Sequence, residues 1–254
     1  MFSSRHSVLL LVLFVFATLA SQAQNSSSSA PAEQQPTAQA PAQSPTQSSL
    51  SVQARIKARR EQRRAAAIHD VYTHLYETYI GAGYLRFHPG DGAREGYGLQ
   101  RVNEYAWDVG VTRYFDQKLG VTLDGRGTYG TAYVGPNEVT NSAITHPAIS
   151  QYAVMIGPTY RFILQPKYSV SGRVLAGAAY GSFSSDTGSF TPASLGLYPD
   201  GVGFAVNASI PIEYNLTPEV GLRAAPEYFL TNFGSTIQNN LGVTGSIVVR
   251  WGKQ

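Results

Sequence analysis

The chain has 254 residues, with 19 Lys and Arg against 16 Asp and Glu, and no cysteine. The missing cysteines exclude a disulfide framework and thiolate metal sites. Past the N-terminal leader no run of about 18 apolar residues occurs, so any membrane insertion must be by strands, and the remaining roughly 230 residues suffice for one large all-β domain with tails.

Charge is uneven. Setting Arg5 aside leaves 18 basic and 16 acidic residues, a net of +2, whereas residues 55–64 alone hold six basic side chains and one acid, a net of +5. A basic stripe is the electrostatic footprint of nucleic-acid binding, but an exported chain argues against that partner.

Export is read from the first residues: Arg5 and His6, an apolar core Val8–Phe16, then Ser21 and Ala23 at signal-peptidase spacing. The apolar core is too short for a spanning helix and a polar segment follows at once, so residues 1–23 are expected to be a signal peptide cleaved after Ala23. No cysteine follows the small residues, which excludes a lipoprotein anchor. Residues 24–53, rich in Ser, Ala, Pro and Gln, cannot bury enough surface to offset ordering and are expected to form a disordered periplasmic linker.

The segment 54–75 contains Ala, Arg, Lys, Gln and Glu without Gly or Pro, which predicts a basic periplasmic helix. Its apolar stripe is weak, carried by Ile56, Ile68, Val71, Tyr72 and Leu75. Arg55, Lys57, Arg59, Arg60, Arg63 and Arg64 form a basic segment for which anionic headgroups or peptidoglycan are the expected partners.

Eight strands are predicted at 76–87, 104–115, 119–132, 150–162, 168–182, 201–214, 220–231 and 239–251, each long enough for the ~9–11 tilted residues that cross a bilayer. The sixth shows the alternation best: Val202, Phe204, Val206, Ala208, Ile210, Ile212 and Tyr214 on one face, Gly203, Ala205, Asn207, Ser209, Pro211 and Glu213 on the other. The last repeats it with Leu241, Val243, Ile247, Val249 and Trp251 opposite Gly242, Thr244, Ser246 and Arg250.

Which face is internal decides the class. A soluble ligand-binding barrel is apolar inside, and a membrane barrel is the inverse. The polar face carries Asp108, Asp124, Arg126, Arg161, Arg173, Glu213, Arg223, Glu227 and Arg250. Lipid would penalise each Arg near the midplane by up to about 2–4 kcal/mol, whereas turned inward the five Arg and four acids can pair as a lumen charge network. Aromatic residues gather at both strand ends. Tyr114, Phe115, Tyr160, Phe162, Tyr168, Tyr214 and Trp251 lie near short turns, and Phe87, Tyr105, Trp107, Tyr129, Tyr133, Tyr152, Tyr180 and Phe204 near long loops. Two such belts are what headgroup interfaces select.

The connections 116–118, 163–167 and 215–219 are short, while 88–103, 133–149, 183–200 and 232–238 are longer and rich in Gly, Ser, Thr, Asn and Pro. Outer-membrane barrels keep short turns in the periplasm. The expected fold is therefore all-β: a closed antiparallel eight-stranded transmembrane β-barrel over 76–252 in the outer membrane, with its N-terminal segment in the periplasm.

On these strands, faces and connections the chain resembles the small eight-stranded outer-membrane barrels, the family that includes the transmembrane domain of outer-membrane protein A. The terminal Val249, Arg250 and Trp251 resemble that family's aromatic-ended insertion signal, although Gly245 sits one position early and Gly252–Gln254 trail the aromatic. The resemblance implies fold and membrane location and hardly any function, because these barrels serve as anchors, adhesins, narrow channels and enzymes.

An eight-stranded lumen is just wide enough for side chains to fill, so the charge network is expected to act as a plug, giving a non-enzymatic structural or surface-interaction protein. Its partners would be outer-membrane lipid and an extracellular ligand of the loops. A narrow channel opened by re-pairing of these charges is the alternative. A lipid-modifying enzyme using His88 or His146 with loop serines is a second, weakened because no His–x–Ser pair lies on a strand. His69 and His74 are five apart, poor same-face helical spacing, so no metal is expected, and no cofactor. The Gly90–Gly92 and Leu123–Gly127 stretches lack the strand–loop–helix context of phosphate loops.

Overall fold

The computed structural model describes residues 46–90, 99–135, 146–234 and 236–253, with side chains described over 52–252 of these. The expected signal peptide, most of the expected linker and parts of three expected outer loops lie outside these residues. One helix, α1 (Thr46–Tyr72), precedes β1 (His74–Phe87), β2 (Val102–Tyr114), β3 (Leu119–Thr131), β4 (Ala148–Leu164), β5 (Tyr168–Ser185), β6 (Gly201–Ser209), β7 (Ile212–Asn215), β8 (Val220–Phe233) and β9 (Thr236–Lys253).

All pairings are antiparallel, and that of β1 with β9 closes the ring. β6 and β7 are two stretches of one crossing between β5 and β8. The ladder breaks between them because Pro211 has no N–H to donate, while Ile210 N still donates to Pro226 O at 3.1 Å and Ser171 N to Pro211 O at 2.9 Å. The ring therefore has eight crossings.

Register sets its width. Tyr76 lies across from Arg113, then Val121, then Pro158, and Val174 lies across from Ala208, then Tyr228, Leu241 and Arg86. Pro158 is level with Val174 between the pairs Ile156–Ala176 and Thr159–Arg173, so one circuit runs from residue 76 to residue 86, a stagger of ten. Eight strands so staggered tilt by about 40° and leave an interior that side chains can fill.

Three differences from expectation have physical causes. The helix spans Thr46–Tyr72 rather than 54–75, because no Gly or Pro lies within 46–72 to stop it earlier. It ends where Thr73 N and Oγ1 both bond to His69 O, at 3.1 and 2.7 Å. The expected long connection 232–238 is a tight hairpin, with Phe233 paired to Thr236 and Gly234 in the left-handed region at φ 61°. Thr236 and Gln238 are strand residues, and Gln238 is buried and bonds both N and O of Phe233 at 2.9 Å. Phe87 and Tyr114, expected among the outer aromatics, are buried inside, since each shares the inward parity of its strand.

The outer face is apolar and exposed. Ile80, Val154 and Val202 expose 66%, 63% and 75% of their surface, and Val109, Leu123, Ile156, Val174, Leu222, Val243 and Ile247 join them. Tyr160, Phe162, Tyr168, Tyr214 and Trp251 are exposed toward the short-turn end, and Tyr105, Trp107 and Phe204 toward the other.

β4 and β5 approach closely at Gly157 and Gly177, where an added Cβ would overlap the carbonyl oxygens of Val174 and Val154 respectively. Gly177→Val should therefore lower the unfolding free energy by about 1–3 kcal/mol, read by denaturant titration of the folded barrel.

Candidate functional site

Strict alternation along each strand sends one set of side chains into the lumen. Acids at 77, 104, 108, 124, 213 and 227 and arginines at 126, 161, 173, 223 and 250 are all buried there. All nine charged positions expected inside are among them, and Glu77 and Glu104 join the set.

These residues form two ion clusters. Near the short-turn end, Glu77 accepts from Arg161 at 2.7 Å, from Arg250 at 3.3 Å and from Arg223. Glu213 accepts from Arg223 at 2.6 Å and Arg250 at 2.7 Å. Two carboxylates thus face three guanidiniums. Aromatic faces supply further negative potential: the Arg161 guanidinium lies 3.6 Å from the Tyr114 ring centroid and 5.0 Å from that of Tyr72.

Midway along the barrel, Arg126 donates to both oxygens of Glu227 at 3.0 Å and to Asp124 at 3.2 Å, while Asn207 donates to Glu227 at 2.9 Å. Tyr79 links the two clusters. Its hydroxyl donates to Asp124 at 2.5 Å and accepts from Arg173 at 2.6 Å, and its ring lies 5.2 Å from the Arg173 guanidinium and 4.7 Å from that of Arg223. Arg173 also donates to Ser209 at 3.1 Å. Asp108 stands across from Arg126 in the β2–β3 pairing, but its Oδ1 accepts no hydrogen bond. Glu104 lies apart, accepting from the Gln151 amide at 2.8 and 2.9 Å.

Buried side chains pack at both ends. At the short-turn end Tyr72, fully buried, donates to Gln165 O at 2.8 Å and accepts from Asn215 at 2.9 Å. At the other end the lumen turns apolar: Phe87, Phe183, Phe229 and Phe233 pack with Leu195, Leu197 and Tyr198 from the connection after β5. Phe183 stacks on Phe87 at 6.1 Å and meets Phe233 and Tyr198 edge-on at 5.4 and 6.0 Å.

Glu77 and Glu104 were legible by parity, since Glu104 is two residues before Ala106 and four before Asp108 on one face. Tyr72 was not, because a residue preceding a strand carries no signal for plugging a lumen. The six basic residues Arg55, Lys57, Arg59, Arg60, Arg63 and Arg64 are exposed on α1. Of the other candidates, the His146 ring packs edge-on to Tyr133 at 5.6 Å and His74 Nδ1 lies 3.1 Å from Val71 O. Among the described residues no three His, Cys, Asp or Glu converge to hold a metal.

No family model matches the chain, and no curated protein matches it. Solved structures of small outer-membrane β-barrel proteins are similar to it. Neisserial surface protein A is 12% identical, covering 69% of this chain and 97% of its own, with a TM-score of 0.46. The outer membrane protein OprG from Pseudomonas aeruginosa is 15% identical over 70% of this chain and 96% of its own, with a TM-score of 0.42. Ail, the attachment invasion locus protein of Yersinia pestis, solved with the heparin analogue sucrose octasulfate, is 16% identical over 68% and 97%, with a TM-score of 0.40.

Removing one member of a buried ion cluster strands the others, at about 3–5 kcal/mol. Glu77→Gln, which leaves three guanidiniums facing Glu213, should lose that much in denaturant unfolding. Glu104→Gln, which keeps an acceptor for Gln151 and breaks no salt bridge, should lose less than about 1 kcal/mol.

Proposed function

We propose that the chain is an outer-membrane β-barrel with a closed lumen, serving as a non-enzymatic anchor that displays its loops outside and holds α1 in the periplasm. The observation that carries this reading is the inversion of faces. Buried ion clusters fill the interior while an unbroken aliphatic band, bordered by aromatics, is exposed around the wall. On a soluble protein so large an apolar surface would be an association or aggregation site. In a bilayer it is the surface that lipid requires.

The interface role of Tyr105, Trp107, Tyr160, Phe162, Tyr168, Phe204, Tyr214 and Trp251 follows from the same placement. The plug role of the lumen network follows from its pairing and from the packing at Tyr72 and at the Phe87–Phe183–Phe233 cluster. A conducting path would need both ends opened and the central pairs separated, which favours the anchor over the channel. Short turns at 115–118, 165–167 and 216–219 share an end with α1, which supports a periplasmic position for the helix. The partner of the loops is an extracellular ligand whose chemistry no described residue selects.

Three measurements test the reading. The protein should fractionate with the outer membrane and migrate differently boiled and unboiled; a soluble periplasmic protein with a single band would overturn the assignment. Ile80→Arg, at the middle of β1, should cost about 2–4 kcal/mol in refolding into vesicles. Planar bilayers carrying the protein should stay silent, and discrete steps abolished by Glu227→Gln or Arg223→Gln would replace the anchor with a channel.

A further inference from the structure

The way α1 leaves the barrel points to its partner. Its last turns form one wall of an open cleft of about 440 Å³, where Ala67, Asp70 and Val71 face Pro166, Lys167, Leu216 and Pro218 of two neighbouring turns. Tyr72 is inside the mouth, within reach of Arg161 and Arg250. Eight residues earlier, Arg64 Nη2 donates to Gln165 Oε1 on the β4–β5 turn at 2.5 Å. That length of helix is about 12 Å, and both its ends meet Gln165, Tyr72 at the backbone carbonyl and Arg64 at the side chain. The helix therefore keeps to the β4–β5 turn over this length, and the residues before Arg64 continue past that contact.

The sequence of α1 sets which side faces down there. Lys57, Arg60, Arg64, Ala67 and Val71 recur at three- and four-residue spacing, so they share one side of the helix. The last three of these meet the turns. Lys57 and Arg60, both exposed, continue the same side past that contact. Ile56, also exposed, neighbours Lys57 on the edge of that side, and Arg55, Arg59 and Arg63 form a second row on the flank at four-residue spacing.

We infer that α1 is an arm lying on the membrane surface, its Lys57–Arg60 side engaging the phosphates of anionic phospholipid in the leaflet next to the short turns. The inference rests on the membrane reading above, which places headgroups beside the rim. A net charge of +5 over residues 55–64 complements that surface. The direction of the Lys57–Arg60 side favours lipid over cell wall, since the wall lies farther from the bilayer and would be met by the opposite side. Each Lys or Arg near an anionic surface favours the docked arm about fivefold. Ile56 adds a small apolar contact at headgroup depth.

The chain has no cysteine, so Ile56→Cys can carry a single environment-sensitive fluorophore in the full-length protein. Reconstituted into phosphatidylcholine vesicles with phosphatidylglycerol, the label should shift to the blue and be quenched by headgroup-level quencher lipid, and in phosphatidylcholine alone it should do neither. Lys57→Gln with Arg60→Gln should lower the docked population by roughly 25-fold, and Arg55→Gln with Arg59→Gln by clearly less. Raising salt until the Debye length falls to about 3 Å should release the arm. A label equally exposed in both vesicles, or equal losses from the two double variants, would overturn the inference. So would an exposed label together with sedimentation on isolated peptidoglycan that depends on Lys57 and Arg60. Unboiled gel mobility read on the same samples separates a failed barrel from an undocked arm.

Discussion

The width of an eight-stranded ring is the constraint on which the rest depends. A stagger of ten residues closes the sheet around a space that side chains alone can fill, so every inward charge must find its partner among other inward residues. The lumen answers with branched pairing rather than isolated salt bridges. Glu77 serves three arginines, Glu213 two, and Arg126 two acids. Tyr79 joins the clusters by donating to an acid and accepting from a guanidinium. Each guanidinium has more donors than one carboxylate can use, which is why tyrosine rings and hydroxyls, Asn207 and Ser209 are recruited around them.

The same narrowness divides the barrel along its axis. The ion clusters occupy the middle and the short-turn half. The loop half holds Glu104 with Gln151 and the inward Gln238 and Asn240, but is otherwise mostly apolar and is covered by residues from the connection after β5. Apolar filling needs no counterpart for each group, so it suits the end where chain of irregular path must fold inward. At the opposite end a single residue, Tyr72, spans both requirements: its ring lies near Arg161 and Arg250, and its hydroxyl satisfies Gln165 O and Asn215.

Much of this was legible from residue alternation. A strand's parity is a local property, so one secure inward residue assigns the rest of its strand, and Asp108 should have drawn in Glu104 and Tyr114 on β2. The errors lie where parity was set aside in favour of composition. Thr236 and Gln238 look like a loop because they are polar, yet a polar residue at an inward position is ordinary strand chemistry here. Phe87 and Tyr114 look like interface residues because they are aromatic, yet they point inward. The early start of α1 was hidden for the same reason: serines beside a Pro-rich tract suggest a linker, although nothing within 46–72 interrupts a helix.

By itself the sequence determined the number of crossings, which face of each strand turns inward, and which end carries the short turns, because these follow from the two-residue period and the turn residues. Only the tertiary structure decided which acid meets which arginine, since partners such as Glu77 and Arg250 are 173 positions apart and are brought together by ring closure and stagger. It also decided which side chains fill each end of the lumen, and that Arg64 of α1 meets the β4–β5 turn. Those depend on where the chain folds back in space, a quantity that no local period encodes.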